Sequence, residues 1–350
     1  MSDAEIEIAG RRIGPAHEPF VICELSGNHN GDLDRALAMI DAAAATGCDA
    51  IKLQTYTADT ITMDSDRPEF LIRGGLWDGR KLYDLYREAH TPFEWHAALF
   101  QRARKAGVIL FSTPFDETAV DLLAGLDAPA YKIASFEAVD LPLIRYAAAR
   151  GRPLIISTGM ANLAEIAAAK AAALEAGAAG VVLLHCVSSY PAALEDANVR
   201  TVADMAQRFG GPVGLSDHTP GTAASVAAVA LGASVIEKHF TLARDDGGPD
   251  AAFSLEPVEF RALVADAKAA WRALGRAHYD LLGSERGNLQ FRRSLYLMAD
   301  VKAGQPLTRA DVRSIRPGLG LAPEHLAEVV GRKAARDLHR GEPLAWDMLG

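Results

Sequence analysis

Gly214-Leu215-Ser216-Asp217-His218 and Ala233-Ser234-Val235-Ile236-Glu237-Lys238-His239 follow one plan: a short apolar run leads straight into a cluster of hydroxyl and ionisable side chains. The runs at 20–25, 50–53, 108–111, 130–134, 153–156 and 180–184 do the same, which with 212–215 and 233–236 makes eight. Most are separated by Ala-rich stretches long enough for a helix. Apolar, β-branched runs alternating with helical patterns read as βαβ units on a parallel sheet. Eight such units predict an α/β fold, a closed (β/α)8 TIM barrel, whose chemistry gathers at the C-terminal ends of the strands. The polar clusters lie at that end, so the pattern predicts an enzyme.

His218 and His239 are the candidate metal ligands. Each stands just beyond its apolar run, and the last two strands of a barrel are neighbours. Two imidazoles with positions left for oxygen suit Mn²⁺, Zn²⁺ or Fe²⁺. The competing reading for either alone is a hydrogen-bonded loop histidine. The period of two puts Glu237 on the face of His239 and turns Lys238 the other way, with Ile236.

Lys52 and Lys132 fall inside strands, where a buried amine needs a partner. Converging with Ser135, Ser157 and Ser216 they would form an anion pocket. In Ser157-Thr158-Gly159-Met160, Gly159 offers a backbone N–H beside the Ser157 hydroxyl. A phosphorylated or carboxylated substrate is implied. Two other readings stand: Lys132 as a Schiff-base nucleophile, or both lysines as rim salt bridges. Glu24, Gln54, Glu137 and Asp250 lie near the same face, suited to sugar hydroxyls or to a proton. Asp250, in Gly247-Gly248-Pro249-Asp250, is equally a turn residue.

The 350 residues are 49% apolar, enough for one barrel and a small second domain. The net charge of −9 argues against a nucleic-acid partner. Three cysteines without a CxxC pair point to a reduced, cytoplasmic setting, and neither a secretory leader nor a membrane span is expected.

The expected domains are a barrel over 1–282, a polar linker over 283–292 and a mostly β domain over 293–350. The last carries a degenerate repeat, Lys302-Ala303-Gly304-Gln305-Pro306-Leu307 against His339-Arg340-Gly341-Glu342-Pro343-Leu344. After the eighth run, Leu263, Ala267, Ala270, Trp271 and Leu274 share one face of a predicted helix. One connection, 55–107, is too long for a loop and helix. It contains Leu76-Trp77-Asp78-Gly79-Arg80 and Leu82-Tyr83-Asp84-Leu85-Tyr86. Two readings follow: a lid over the catalytic face, or a helix packing Trp77, Tyr83 and Tyr86 on the barrel wall.

Glu24-Leu25-Ser26-Gly27-Asn28-His29-Asn30-Gly31, Lys52-Leu53-Gln54, Ser112-Thr113-Pro114-Phe115, Lys132-Ile133-Ala134-Ser135, Ser157-Thr158-Gly159-Met160, Gly214-Leu215-Ser216-Asp217-His218-Thr219 and Glu237-Lys238-His239-Phe240-Thr241 together resemble the sialic acid synthase family. The tail from Arg293 resembles its antifreeze-like (SAF) domain. The 76–86 stretch, Thr91-Pro92-Phe93-Glu94-Trp95 and Phe253-Ser254-Leu255-Glu256-Pro257 resemble the pseudaminic acid synthase branch.

This resemblance implies condensation of phosphoenolpyruvate with an open-chain amino sugar, releasing phosphate. The sugar is an altrose-derived diacetamido compound, or N-acetylmannosamine or the legionaminic precursor. It implies Mn²⁺, or Mg²⁺ or Co²⁺, on His218 and His239. It assigns phosphoenolpyruvate contacts to Lys52, Thr113, Lys132, Ser135, Ser157, Gly159 and Ser216. Gln54, Glu137, Tyr190 and Asp250 match positions facing the sugar, and Glu24 a carboxylate near the metal. Ser188 stands where sialic acid synthases carry Asn near the phosphate. Arg316 matches an arginine that reaches the partner subunit's site, which implies a domain-swapped homodimer.

Overall fold

The structure, a computed structural model, describes residues 5–350. The chain forms two compact units that part after Gly275.

In the first unit eight parallel strands close into a barrel: β3 (Phe20–Glu24), β4 (Ala50–Thr55), β5 (Ile109–Pro114), β6 (Tyr131–Ile133), β7 (Leu154–Ser157), β8 (Val181–Cys186), β9 (Val213–Asp217) and β10 (Val235–His239). They coincide with the eight apolar runs. β10 pairs with both β9 and β3, setting His239 opposite Glu24, and β3 sets Glu24 opposite Lys52.

The inward faces explain the plan of the sequence. Ile22, Ala50, Phe111, Ala130, Ile155, Val182, Leu184 and Val235 fill the lower barrel as one apolar cluster. One pleat repeat further along, the same face presents Glu24, Lys52, Thr113, Lys132, Ser157, Cys186 and Glu237. The barrel therefore changes from oil to charge within a single repeat.

Two short strands missing from the sequence reading, β1 (Ile6–Ile8) and β2 (Arg11–Ile13), form an antiparallel hairpin. Its Ile6, Ile8 and Ile13 join the lower cluster and seal the end away from the polar layer. Outside the barrel, small residues such as Ala36, Ala43, Ala103, Ala147, Ala169 and Ala228 pack the helices against the strands. The helices starting at Leu33, Glu117, Leu141 and Leu163 begin after Asp32, Asp116, Asp140 and Asn162, whose side chains accept the first free N–H groups.

The helix Pro257–Leu274 buries Leu263 and Ala267, with Ala270 and Trp271 packed at the edge. Leu274, expected on that face, is 47% exposed, because the helix runs past the barrel before Gly275 ends it. The compact units therefore divide there rather than at 282. The expected linker is a run of 3-10 helix, Gly283–Phe291, exposed along its length.

The second unit pairs β11 (Ser294–Leu297) antiparallel to β12 (Val312–Ile315) around Leu295, Leu297, Val301, Leu307, Leu338 and Leu344. The degenerate repeat has a geometric counterpart. Val301 and Leu338 exchange N–H···O bonds of 2.9 Å both ways. Gly304 N–H to Ala334 O is matched by Gly341 N–H to Leu297 O, and Leu307 to Arg332 by Leu344 to Leu295. A local two-fold axis thus passes between Val301 and Leu338. No helix among the described residues is long and apolar enough to cross a membrane.

Candidate active site

The polar layer forms the floor of a cavity of about 610 Å³ at the C-terminal ends of the strands. Lys52 and Lys132 are 5% and 1% exposed, so neither is a rim salt bridge. Both lean on Glu237, whose Oε1 lies 3.2 Å from Lys52 Nζ and 3.7 Å from Lys132 Nζ. Ser216 Oγ donates to the same oxygen at 3.0 Å. Lys52 also lies 3.3 Å from Glu24 Oε2, and Lys132 donates to Ser157 Oγ at 2.6 Å.

Two buried carboxylates thus face two buried ammonium groups, and their acidities follow from that. Burial opposes ionisation of Glu237, but Lys132 and Lys52 outweigh it and hold the carboxyl well below the usual range. Burial works against Lys52 too, yet Glu237 and Glu24 push its pKa up. Lys132 is less well compensated: burial, aided by the Lys52 charge, brings it down to about 8. Lys132 is thus the lysine whose charge an incoming anion would stabilise most.

Glu24 anchors a chain of hydrogen bonds up the wall. Gln54 Nε2 donates to Glu24 Oε1 at 2.8 Å and lies 3.1 Å from Ser26 Oγ, which donates to Asp250 Oδ2. Asn28 Oδ1 accepts from Asp250 N at 3.3 Å. Asp250 is therefore both a loop residue and part of the cavity, and burial raises its pKa. Burial also raises Glu137 to about 7; its Oε2 is buried without a hydrogen-bond partner.

The rings of His218 and His239 lie 5.3 Å apart. His218 Nδ1 is 3.0 Å from the Val187 carbonyl, which fixes a proton on Nδ1, so that in the neutral ring Nε2 carries the lone pair. His239 Nδ1 is buried with no hydrogen bond, 3.7 Å from Asp250 Oδ2. Burial, then the neighbouring cationic groups, keep its ring neutral, the state that ligates. Among the described residues no three His, Cys, Asp or Glu side chains converge as a ready ligand set. These two imidazoles are the residues that would hold a divalent cation, with positions left for oxygen ligands.

Behind the histidines, on the outward face, Lys238 Nζ lies 2.8 Å from Asp217 Oδ2 and donates to Thr219 O at 2.6 Å. Asp217 also accepts from Ser225 Oγ and Thr219 Oγ1. This buried brace ties β9 to β10 one residue before each histidine.

The long insertion is part lid and part wall packing. Ile61, Ile72, Leu76, Trp77, Leu82 and Tyr86 line the cavity, while the helix Leu82–Ala89 docks through buried Leu85 and Ala89. Tyr83 turns away, its hydroxyl donating to Asp59 at 3.0 Å.

Glu24, Lys52, Gln54, Lys132, Ser135, Glu137, Ser157, Ser188, Tyr190, Ser216, His218, His239 and Asp250 line one cavity. Thr113 and Gly159 do not. Thr113 Oγ1 sits behind Lys52, 3.4 Å from its Nζ. The Gly159 N–H, expected beside Ser157, donates instead to Ser135 Oγ at 3.2 Å. A side chain at 159 would press on the Ser188 and Ser135 hydroxyls, so a Cβ there requires both serines to move. Arg316 is exposed in the second unit, just after β12. Sequence reasoning left Glu237, Cys186 and Phe253 out of the site. Glu237 had a signal, its shared face with His239. Phe253, whose ring lies 4.9 Å from His239, had none beyond the quoted motif.

Residues 39–279 match the NeuB family and residues 292–350 match the SAF domain. The chain belongs to the NeuB family. A pseudaminic acid synthase of Campylobacter jejuni is 45% identical over 325 residues, covering 93% of this chain and 95% of that protein. The pseudaminic acid synthase of Helicobacter pylori is 42% identical over 333 residues, covering 94% and 97%. The solved N-acetylneuraminic acid synthetase of Leptospira borgpetersenii, in complex with citrate, superposes with a TM-score of 0.73 at 32% identity, covering 82% of this chain and 96% of that one. This NeuB member is thus a TIM barrel followed by a SAF domain.

Proposed function

We propose that this enzyme is a pseudaminic acid synthase, a transferase. It condenses phosphoenolpyruvate with 2,4-diacetamido-2,4,6-trideoxy-β-L-altropyranose and water, giving pseudaminic acid and phosphate. The observation that carries the reaction is the lysine pair held by one shared carboxylate beneath two paired imidazoles. The two pseudaminic acid synthases, at 45% and 42% identity against 32% for the neuraminic synthetase, carry the choice of sugar.

In this reading Lys52 and Lys132 bind the phosphate and carboxylate of phosphoenolpyruvate, with Ser135, Ser157 and Ser216 as hydroxyl partners. Gln54, Tyr190 and Asp250 orient the open-chain sugar, and Ser188 meets the phosphate side. His218 and His239 would hold a divalent cation, best Mn²⁺, which when bound would supply Lewis-acid polarisation of the aldehyde.

The enol carbon then forms the new C–C bond, and the aldehyde oxygen takes a proton. Water adds to the cationic C2 and loses one proton; the resulting C2 hydroxyl then closes to the ketone as the bond from C2 to the phosphate oxygen breaks, its electron pair and the second water proton leaving with phosphate. Glu137, with a carboxyl near 7, is suited to hold one of these protons, and Glu24 steadies Lys52. Ordered this way, Lys132 remains an ammonium and is not a Schiff-base nucleophile.

We also assign a domain-swapped homodimer in which Arg316 completes the partner's site; its exposure at the end of β12 is consistent with that. A cytoplasmic setting is supported by three free cysteines, Cys23, Cys48 and Cys186.

The test offers purified enzyme phosphoenolpyruvate, Mn²⁺ and each candidate sugar, and measures phosphate released. The altrose-derived diacetamido sugar should give the highest kcat/KM. Preference for N-acetylmannosamine or the legionaminic precursor would overturn the sugar; absence of sugar-dependent release would overturn the reaction.

A further inference from the structure

The cavity has two unlike sides. Glu24, Lys52, Gln54, Glu137 and Asp250 form the polar one, and the insertion supplies an apolar one from Ile72, Leu76, Trp77, Leu82 and Tyr86. Trp77 sits at the tip of a small hairpin closed by Ile72 N–H to Arg80 O at 2.8 Å and Gly79 N–H to Ile72 O at 2.9 Å. Gly75 and Gly79, with φ of 74° and 80°, turn the chain on either side of the tip.

The indole Nε1 donates to the Pro249 carbonyl at 3.0 Å, tying the hairpin to the loop that carries Asp250. The indole ring also lies 5.7 Å from Tyr190, and Tyr190 lies 4.4 Å from His218. An aromatic row therefore runs from the paired histidines to the lid.

We propose that Trp77 is the specificity-determining residue for the far end of the sugar, its ring face receiving the C6 methyl of a 6-deoxy substrate. The inference rests on the proposed function, which puts the sugar's C1 at the histidines; the rest of the open chain then extends along the aromatic row. The only polar atom of the indole is already bonded to Pro249. A 6-hydroxyl entering there would leave water without a replacement partner, whereas a methyl gains contact.

The test compares kcat/KM for the 6-deoxy diacetamido sugar and for its 6-hydroxy counterpart of the same stereochemistry. The wild type should favour the 6-deoxy sugar by roughly 10–200-fold. Trp77→Ala should lower that ratio about tenfold through the KM of the sugar, leaving the KM of phosphoenolpyruvate within about twofold. Trp77→Phe, which keeps a ring face, should retain most of the ratio.

An unchanged ratio in Trp77→Ala, or a parallel rise in the KM of phosphoenolpyruvate, overturns the role of Trp77 and leaves the proposed function standing. Absence of phosphate release from either sugar by the wild type overturns the function and this inference with it.

Discussion

Glu237→Gln tests the logic of the cavity floor. The substitution keeps shape and the Ser216 hydrogen bond but removes the charge that Lys52 and Lys132 share at 3.2 and 3.7 Å. At an effective dielectric of about 20, each contact is on the order of 4–5 kcal/mol before desolvation. Lys52 retains Glu24 at 3.3 Å, but Lys132 is left with the Ser157 hydroxyl and a backbone carbonyl. Removing one member of a buried pair costs about 3–5 kcal/mol, so the Tm should fall by roughly 10 °C.

The same argument predicts a partial rescue. Inorganic phosphate or phosphoenolpyruvate can bring negative oxygens to the two lysines, so either anion should raise the Tm of the variant more than that of the wild type. At a hundredfold excess over Kd the ligand contributes about 2.7 kcal/mol. Differential scanning calorimetry with and without phosphate reads both effects. A variant melting within about 2 °C of the wild type, or an equal phosphate-induced shift in both proteins, would refute the shared-carboxylate account.

His218→Ala and His239→Ala should each abolish Mn²⁺-dependent phosphate release, and unchanged turnover in either would sink the metal assignment. Lys238→Met removes the brace from Asp217, costs about 3–5 kcal/mol in urea unfolding, and should weaken Mn²⁺ binding by calorimetric titration; unaltered Mn²⁺ affinity would show that the brace does not position the histidines.

Glu137 ionises near 7 in the fold against 4.5 as its ordinary value. Its contribution to stability is therefore full below the ordinary value and lost as pH rises through the folded one. Glu137→Gln should exceed the wild type by roughly 1–3 kcal/mol at about pH 8 and by little at about pH 4. It should also erase an ionisation near 7 from the kcat/KM profile. Truncation before Arg293 should abolish phosphate release, and an active truncated protein would refute the swapped-arm assignment.

The barrel was legible because a parallel strand covered on both faces reads as a continuous apolar run, and because each run ends in groups that cannot be buried unpaired. The N-terminal hairpin was not legible: Ile6-Glu7-Ile8 and Arg11-Arg12-Ile13 are too short for a periodic signal, and their role depends on the barrel they plug. Much of the site could be read from residue type and strand end.

Glu237 could not be assigned its part that way, because its partners are Lys52 and Lys132 from distant strands, and only the closed barrel brings them together. The Ser135 partner of the Gly159 N–H was not legible for a smaller reason: backbone N–H direction at a strand end is set by the next turn, which types alone do not specify. Phe253 and Trp77 enter from loops whose course follows from tertiary packing.

The pairing of β10 with β3 gives the site a history as well as a shape. Glu24, Gln54, Lys52 and Lys132 are all synthesised before the strand that carries Glu237 and His239. Until that last strand closes, Lys132 has no carboxylate partner and His218 no companion imidazole. A chain stopped short of β10 therefore lacks both the carboxylate that the two lysines share and the second imidazole of the pair. The shared carboxylate and the paired imidazoles are thus marks of a ring that has shut.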